Sequence, residues 1–408
     1  MVVGGRAFVK PLPFALGCND HFLRQGISSA GITFAQQIGM TTYRNDVPWN
    51  VSQGGSTPIE GLPGVYNSTN VTAVSTMVAA VKAAGLKNLL VVTVNQNPGM
   101  CPTLSTALAS GTLYSSINVG SATYPCTFAI SIGDSIQLTS GPGGSTQTVV
   151  AAANMAAGAY GALTVTAFTA NANYGVGAWI YDTVWVACTP QHFSDMMVHL
   201  VSQSGLQGLD WELFNEPDGG SWGIPVLELY QAYSLAYPAM KAADPTCTVH
   251  GLALSSTSSP PTYYNAFIAL GGLAYYDALS VHQYWLNATS PMAPNAPYIY
   301  SNPFITIATQ LGAFQANRVS LGDNKPLWWT EVGWPFGSGG CTPALQSQWL
   351  QDLFVILCGN DPVNGGLYSS YLKAVLIYAM IQDGTYALAP TGIANPAVAV
   401  LTELVSGH

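Results

Sequence analysis

The sequence is short of charge. Asp, Glu, Lys and Arg make up 7% of its 408 residues, where roughly 25% is usual. Cations are the scarcest: ten Lys and Arg stand against nineteen Asp and Glu, a formal net charge of −9. A chain this poor in cations carries no phosphate-binding stripe, so nucleic acid is not an expected partner. Long apolar runs are missing as well. Ala374 to Ile381 is among the longest, far below the roughly 20 residues of a spanning helix, which argues against membrane insertion. The seven cysteines (Cys18, Cys101, Cys126, Cys188, Cys247, Cys341 and Cys358) form no C-x-x-C pair and no zinc pattern. Cys101 with Cys126 and Cys341 with Cys358 are candidate disulfides, with buried free thiols an equal alternative for each pair.

What is present excludes disorder. Hydrophobic residues are 49% and aromatics 11%, enough for a sizeable core in one large domain or two ordinary ones. The surface must then be polar through Ser, Thr, Asn, Gln, Gly and Tyr. Such neutral surfaces suit secreted proteins and acidic surroundings, because few groups change charge as pH falls. The expected location is therefore extracellular. The N-terminus, MVVGGRAFVK, lacks a signal-peptide core, so the expected form is either a mature or an engineered one.

Short apolar, β-branched segments alternate with amphipathic ones. Strands are expected near Phe14–Gly17, Thr41–Asn45, Leu89–Asn95, Gly208–Phe214, Thr248–Leu254, Ala278–Gln283, Leu327–Glu331 and Ala374–Ile381. Helical spacing is expected over Ser29–Gln37, Val71–Ala84 with Asn70 as cap, a helix opened by Thr189-Pro190, Val226–Ala242, Thr262–Leu270, Phe304–Ala316, Pro343–Leu357 and Pro396–Val405. Eight strand–helix units predict an α/β fold, a (β/α)8 TIM barrel. The third unit is interrupted. Residues 101–181 are rich in Gly, Ala, Ser and Thr, with alternating runs at Ser131–Leu138, Thr146–Ala151 and Ala162–Phe168. They read as an inserted β-rich subdomain, leaving residues 1–100 and 182–408 as the barrel. An insertion after a strand lies on the face where barrel active sites sit and could wall a cleft; decoration or an oligomer contact is the alternative.

The chain has six Glu, and two end strands in unusual company. Glu216 lies in Trp211-Glu212-Leu213-Phe214-Asn215-Glu216-Pro217, at strand four. Glu331 lies in Trp328-Trp329-Thr330-Glu331-Val332-Gly333-Trp334-Pro335, at strand seven. Both strand ends point to one barrel face. Paired carboxylates among Trp residues fit glycoside hydrolysis: one protonates the leaving oxygen, the other attacks or activates water. Once one is ionised, its field keeps its neighbour protonated. Indole rings offer flat surfaces to the CH faces of sugars.

Asn215-Glu216-Pro217 and Thr330-Glu331 resemble the motifs of clan A glycoside hydrolases. The stretch Trp328–Pro335 is most similar to glycoside hydrolase family 39, and families 5 and 17 use similar phrases. The resemblance covers roughly residues 10–100 and 182–408, not the insertion. It implies Glu216 as acid/base and Glu331 as nucleophile of a retaining mechanism. Arg44, one of four Arg, resembles the clan's Arg that pairs with the nucleophile; an ion pair with Asp46 or Asp20 is the plain alternative. Asn215 resembles the clan's Asn that hydrogen-bonds a sugar 2-OH. His282 and Tyr284 resemble the clan's His near substrate or the acid/base and its Tyr near the nucleophile. Trp49, Trp285 and Trp334 are candidate sugar platforms or core. Asn95 and Gln96 could reach substrate. Gln382 and Asp383 stand where many clan members carry a Trp. Glu212 shares strand parity with Glu216 and is a candidate partner of Arg44 below the site.

The expected protein is thus a retaining β-glycosidase acting on an oligo- or polysaccharide, β-xylosidase-like, with no metal or organic cofactor. Alternatives are an endo-acting glucanase or xylanase, an exopolysaccharide hydrolase, a transglycosylase, a carbohydrate-binding barrel without activity, or an adhesive protein displaying the insertion. Oligomeric state is open.

Overall fold

The computed structural model describes residues 2–3, 6–7, 12, 14–20, 30–49, 59–62, 65–93, 104–120, 126, 130–139, 145–156, 159–176, 178–218, 224, 226–255, 261–284, 303–333, 342–355, 357, 370–378 and 396–406. Eight strands close into one parallel barrel: β1 (Ala15–Asp20), β2 (Thr42–Pro48), β3 (Lys87–Thr93), β4 (Asp210–Glu212), β5 (Thr248–Leu254), β6 (Ala278–Tyr284), β7 (Leu327–Gly333) and β8 (Leu372–Ile377). They pair in chain order, and β8 pairs with β1. A (β/α)8 barrel is what the alternation of elements predicts, and all eight expected strands are present, with ends shifted by up to four residues.

Helices follow the strands: α1 (Ala30–Ile38), α2 (Ser68–Ala83), α3 (Thr183–Val201), α4 (Val226–Ala243), α5 (Thr262–Ala269), α6 (Pro303–Ser320), α7 (Pro343–Val355) and α8 (Pro396–Ser406). Two starts differ from expectation. The cap of α2 is Asn67, whose Oδ1 accepts from the N–H groups of Thr69 and Asn70, so Asn70 lies inside the first turn. Helix α3 begins six residues before Thr189, with Pro190 in its interior. An interior proline costs about 3 kcal/mol. Phe193, Met196, Met197 and Leu200 are fully buried just beyond it, and roughly 1.5–3 kcal/mol for each such side chain outweighs that cost.

The main core joins the outward faces of the strands, including Trp211, Trp329 and Leu90, to helix residues such as Phe193, Met196 and Tyr233. Inside the barrel a small apolar cluster of Leu89, Ala374 and Leu376 packs with Ala15 and Trp328. Gly17 permits the close approach of β1 to β2, since a Cβ there would meet the Thr42 carbonyl oxygen at 2.5 Å.

A β-rich insertion follows β3. Strands Ser135–Thr139, Thr146–Val150 and Trp179–Asp182 form one antiparallel sheet; Leu113–Val119 and Gly161–Thr169 form another. A bridge between Ala151 and Val165 joins them. Ile117, Ile136, Leu138, Val149, Leu163, Tyr174 and Ile180 give it a core separate from the barrel's. Cys126 is buried there; Cys101, Cys341 and Cys358 lie outside the described residues.

Candidate active site

The C-terminal ends of five strands deliver a buried polar cluster centred on Arg44 of β2. Its Nε donates to Glu212 Oε2 at 2.5 Å and its Nη1 to Glu331 Oε1 at 2.5 Å. Its Nη2 donates to Asn215 Oδ1 at 2.8 Å, and Nη1 lies 3.4 Å from Asn19 Oδ1 on β1. Asn19 in turn donates through Nδ2 to the Thr330 carbonyl, at 2.8 Å, beside the nucleophile candidate. Five N–H donors in a planar fork let one guanidinium fix two carboxylates and two amides. Burial works against the Arg44 charge, but Glu212, Glu331 and Asp46 hold its proton above the ordinary arginine value.

Register brings His282 of β6 directly opposite Glu331 of β7. His282 is fully buried. Its Nδ1 lies 2.8 Å from Glu216 Oε1 and 3.6 Å from Glu331 Oε2. An oxygen of Glu216, an oxygen of Glu331 and a ring nitrogen of His282 all lie within 4.8 Å of one another. Burial pulls the His282 pKa down, but the Glu331 charge and the Glu216 hydrogen bond raise it above 6.5. Burial pushes Glu216 up, but the His282 hydrogen bond and charge, with Arg44, hold it below 4.5. Glu212 is also held below 4.5: burial raises it, and Arg44 and His282 more than offset that.

Glu216 sits on strained backbone, with φ 47°. Its N–H donates to the Ala253 carbonyl at 3.0 Å. Ala253 (φ 33°) and Leu252 (φ 68°) form a bulge in β5, where the register with β6 shifts. Two residues on, Asp218 accepts from the Ser255 N–H at 2.8 Å and from its hydroxyl at 3.1 Å, tying the loop after β4 to the end of β5. Below the site, Asp210 meets Lys87 Nζ at 2.7 Å and His250 Nε2 at 3.3 Å.

The structure thus brings together Glu216, Glu331, Arg44, Asn215, His282 and Glu212. Of the two plain alternatives for Arg44, Asp46 adds to its field, while Glu212 and Glu331 are the ion-pair partners. Of the two alternatives for Trp49, the structure has the core. Trp49 is 3% exposed and meets Phe193 edge-on at 5.0 Å, so its ring offers no open face to a sugar. Tyr284 is the last residue of β6. Asn95, Gln96, Trp285, Trp334, Gln382 and Asp383 lie outside the described residues. Asn19 and Asp218 escaped sequence reasoning; the signal was a polar residue ending an apolar strand, and an Asp two places beyond Glu216. Glu216, His282 and Glu331 have metal-ligand spacing. Arg44 already takes one Glu331 oxygen and His282 Nδ1 faces Glu216, so these donors are committed to one another.

No family model matches the sequence, and no curated protein matches it. The fold does have parallels among solved structures. Its structural neighbours are glycoside hydrolases. A family 39 glycoside hydrolase from the gut symbiont Bacteroides cellulosilyticus WH2 superposes with a TM-score of 0.56 at 17% identity, over 97% of this chain and 64% of that one. This chain therefore spans less than two thirds of that protein. A family 39 β-xylosidase from Caulobacter crescentus gives 0.53 at 13% identity, covering 98% and 72%. An endo-β-1,4-glucanase from Xanthomonas axonopodis pv. citri gives 0.55 at 12%, covering 96% and 98%. What is shared at these identities is the barrel.

Proposed function

We propose that the protein is a retaining β-glycoside hydrolase, β-xylosidase-like in specificity, that works outside the cell. The observation that carries this is the site geometry. One oxygen of Glu216, four residues beyond β4, and one of Glu331 on β7 lie within 4.8 Å of each other, with Arg44 on Glu331 and His282 on Glu216. Retaining enzymes hold their carboxyls about 5–5.5 Å apart, whereas inverting ones leave room for a water at 6.5–9.5 Å. Glu331 is the nucleophile. Arg44 holds its Oε1 at 2.5 Å, and its Oε2, 3.6 Å from His282 Nδ1, attacks the anomeric carbon.

Glu216 is the acid/base. It and His282 share a proton along their 2.8 Å hydrogen bond, so one transfer within that bond makes Glu216 a carboxylic acid ready to protonate the glycosidic oxygen. Once Glu331 holds the sugar, Glu216 takes a proton from water, which hydrolyses the ester. Asn215 gives its amide oxygen to Arg44, which leaves its N–H groups to donate to a sugar 2-OH. The insertion departs from the C-terminal end of β3, the end that carries the site, and we read it as one wall of the cleft. The neutral polar composition supports secretion.

The test is a hydrolysis screen pairing aryl β-glycosides (xyloside, glucoside, galactoside, arabinoside) with soluble polysaccharides. Release of one monosaccharide from the aryl xyloside, with retained configuration by NMR, is the expected result. Oligomers from a glucan or xylan would replace the xylosidase specificity with an endo-acting one. Silence from folded protein would overturn the reading.

A further inference from the structure

Arg44 binds two buried carboxylates, and the proposed reaction leaves only one of them charged. When an oxygen of Glu331 bonds to the anomeric carbon, the glycosidic C–O bond breaks. Its electron pair goes to the leaving oxygen, which takes the proton from Glu216. Glu331 is then a neutral ester. Arg44 is 2% exposed, and a buried guanidinium without a counter-ion is strongly disfavoured. Glu212 does not take part in this step. It is fully buried beneath the site, on the opposite side of the guanidinium from Glu331, at 2.5 Å from Nε.

We propose that Glu212 is the standing counter-ion of Arg44, a positioning residue that keeps the guanidinium neutralised and in place while Glu331 carries the sugar. This rests on the glycosidase reading. It also explains why two carboxylates crowd one cation in the resting site. With Glu212 taking part of the Arg44 charge, Glu331 is held less tightly and attacks more readily. The other groups facing Arg44 are Asn19 from β1 and Asn215 after β4, which are neutral, and Asp46 further along β2. His282 from β6 is the second cation near Glu331. Asp46 is the competing counter-ion.

A double-mutant cycle separates them without needing a substrate. Glu331→Gln is an uncharged isostere of the ester state. By urea unfolding, Glu331→Gln and Glu212→Gln should each fold, because each keeps one partner for Arg44. The combined variant should lose roughly a hundredfold more in folding equilibrium constant than the two single losses together. Adding Arg44→Met should recover that loss, and this triple variant keeps the test open if the double one does not fold. Additive losses, or no recovery in the triple variant, would overturn the proposal in favour of Asp46. On 4-nitrophenyl β-xyloside, Glu212→Gln should lower kcat more than it raises KM, because the glycosyl-enzyme then leaves Arg44 without its counter-ion; Glu212→Asp should restore kcat. An unchanged kcat also counts against the proposal. Failure of the glycosidase reading shows separately, as a silent wild type in the screen, with the cycle still interpretable.

Discussion

The Nδ1 of His282 lies 2.8 Å from Glu216 Oε1, in a site where burial penalises either charge alone. The two side chains therefore titrate as a unit that holds one proton. That proton leaves only when pH rises through the raised His282 value, above 6.5. The basic limb of kcat/KM should report this loss. His282→Gln leaves Glu216 to titrate alone, so the limb should move to lower pH; an unmoved limb would mean the pair does not share its proton. Glu216→Gln should lower kcat/KM about 10²–10⁴-fold on a xyloside that needs leaving-group protonation. The loss should be much smaller with a 2,4-dinitrophenyl leaving group. Glu331→Gln should abolish both reactions, since the ester forms on the Glu331 carboxylate. Full activity in either variant would remove that residue from the mechanism. Both carboxylates were legible in the sequence because their motifs end two strands of eight, and strand parity placed Glu212 below them. Asn19 was not legible: an Asn beside an Asp at a strand end gives no hint that its amide will bridge Arg44 to the Thr330 carbonyl. Trp49 stayed open between platform and core because a tryptophan near a strand end looks the same whether its ring faces Phe193 or solvent.

At the scale of elements, strands were more legible than helix starts. A strand buried on both faces is a continuous apolar run, and β5 matches its expected span residue for residue. A helix start depends on which polar side chain reaches which N–H, so Asn67 and Asn70 could not be told apart. In the insertion, Leu113–Val119 was missed because Ser115, Ser116 and Asn118 blunt its alternation. The bulge in β5 was invisible, because nothing in Gly251-Leu252-Ala253-Leu254 signals left-handed backbone. Non-glycine residues held there store on the order of 1–2 kcal/mol each. The buried Tyr233 hydroxyl stabilises the bulge, accepting from the Leu252 N–H at 2.9 Å and donating to the His250 carbonyl at 3.2 Å. Ala253 then presents its carbonyl to Glu216. Tyr233→Phe should cost about 1–3 kcal/mol in urea unfolding, since it orphans a buried N–H. It should also lower kcat more than it raises KM, because the displaced group is the Glu216 backbone rather than a sugar contact. A stability loss with unchanged kcat would separate the bulge from catalysis.

For the whole molecule, the scarcity of charge means that most of the pH response comes from a few buried groups. Among the described residues, five cations have structural posts: Arg44 in the site, Arg318 on Asp323, Lys87 on Asp210, Lys241 on Asp277, and Lys325 on the carbonyls of Leu273 and Tyr276. Asp210, Asp277 and Asp323 are held below 3.8, and Glu212 and Glu216 below 4.5. In each, burial pushes upward and cationic partners more than offset it. A depressed carboxylate contributes stability that is complete above its ordinary value and is lost as pH falls through the depressed one. His282 has the opposite sign. Its raised pKa contributes stability that is complete below 6.5 and is lost as pH rises through the raised value. Asp218, raised by burial, adds a small contribution of the same sign as His282, lost as pH rises through its raised value. The larger set of carboxylates is thus intact down to their ordinary values, and His282 is intact up to its own. The urea midpoint should be nearly flat between 4.5 and 6.5, fall steeply only below about 4, and decline gently on the alkaline side. His282→Gln should remove the alkaline decline and leave the acid edge where it was. A steep loss of midpoint between pH 6 and 4.5 would mean that the buried carboxylates are not held by the cations named here, and would weaken the case for a working environment that is acidic and extracellular.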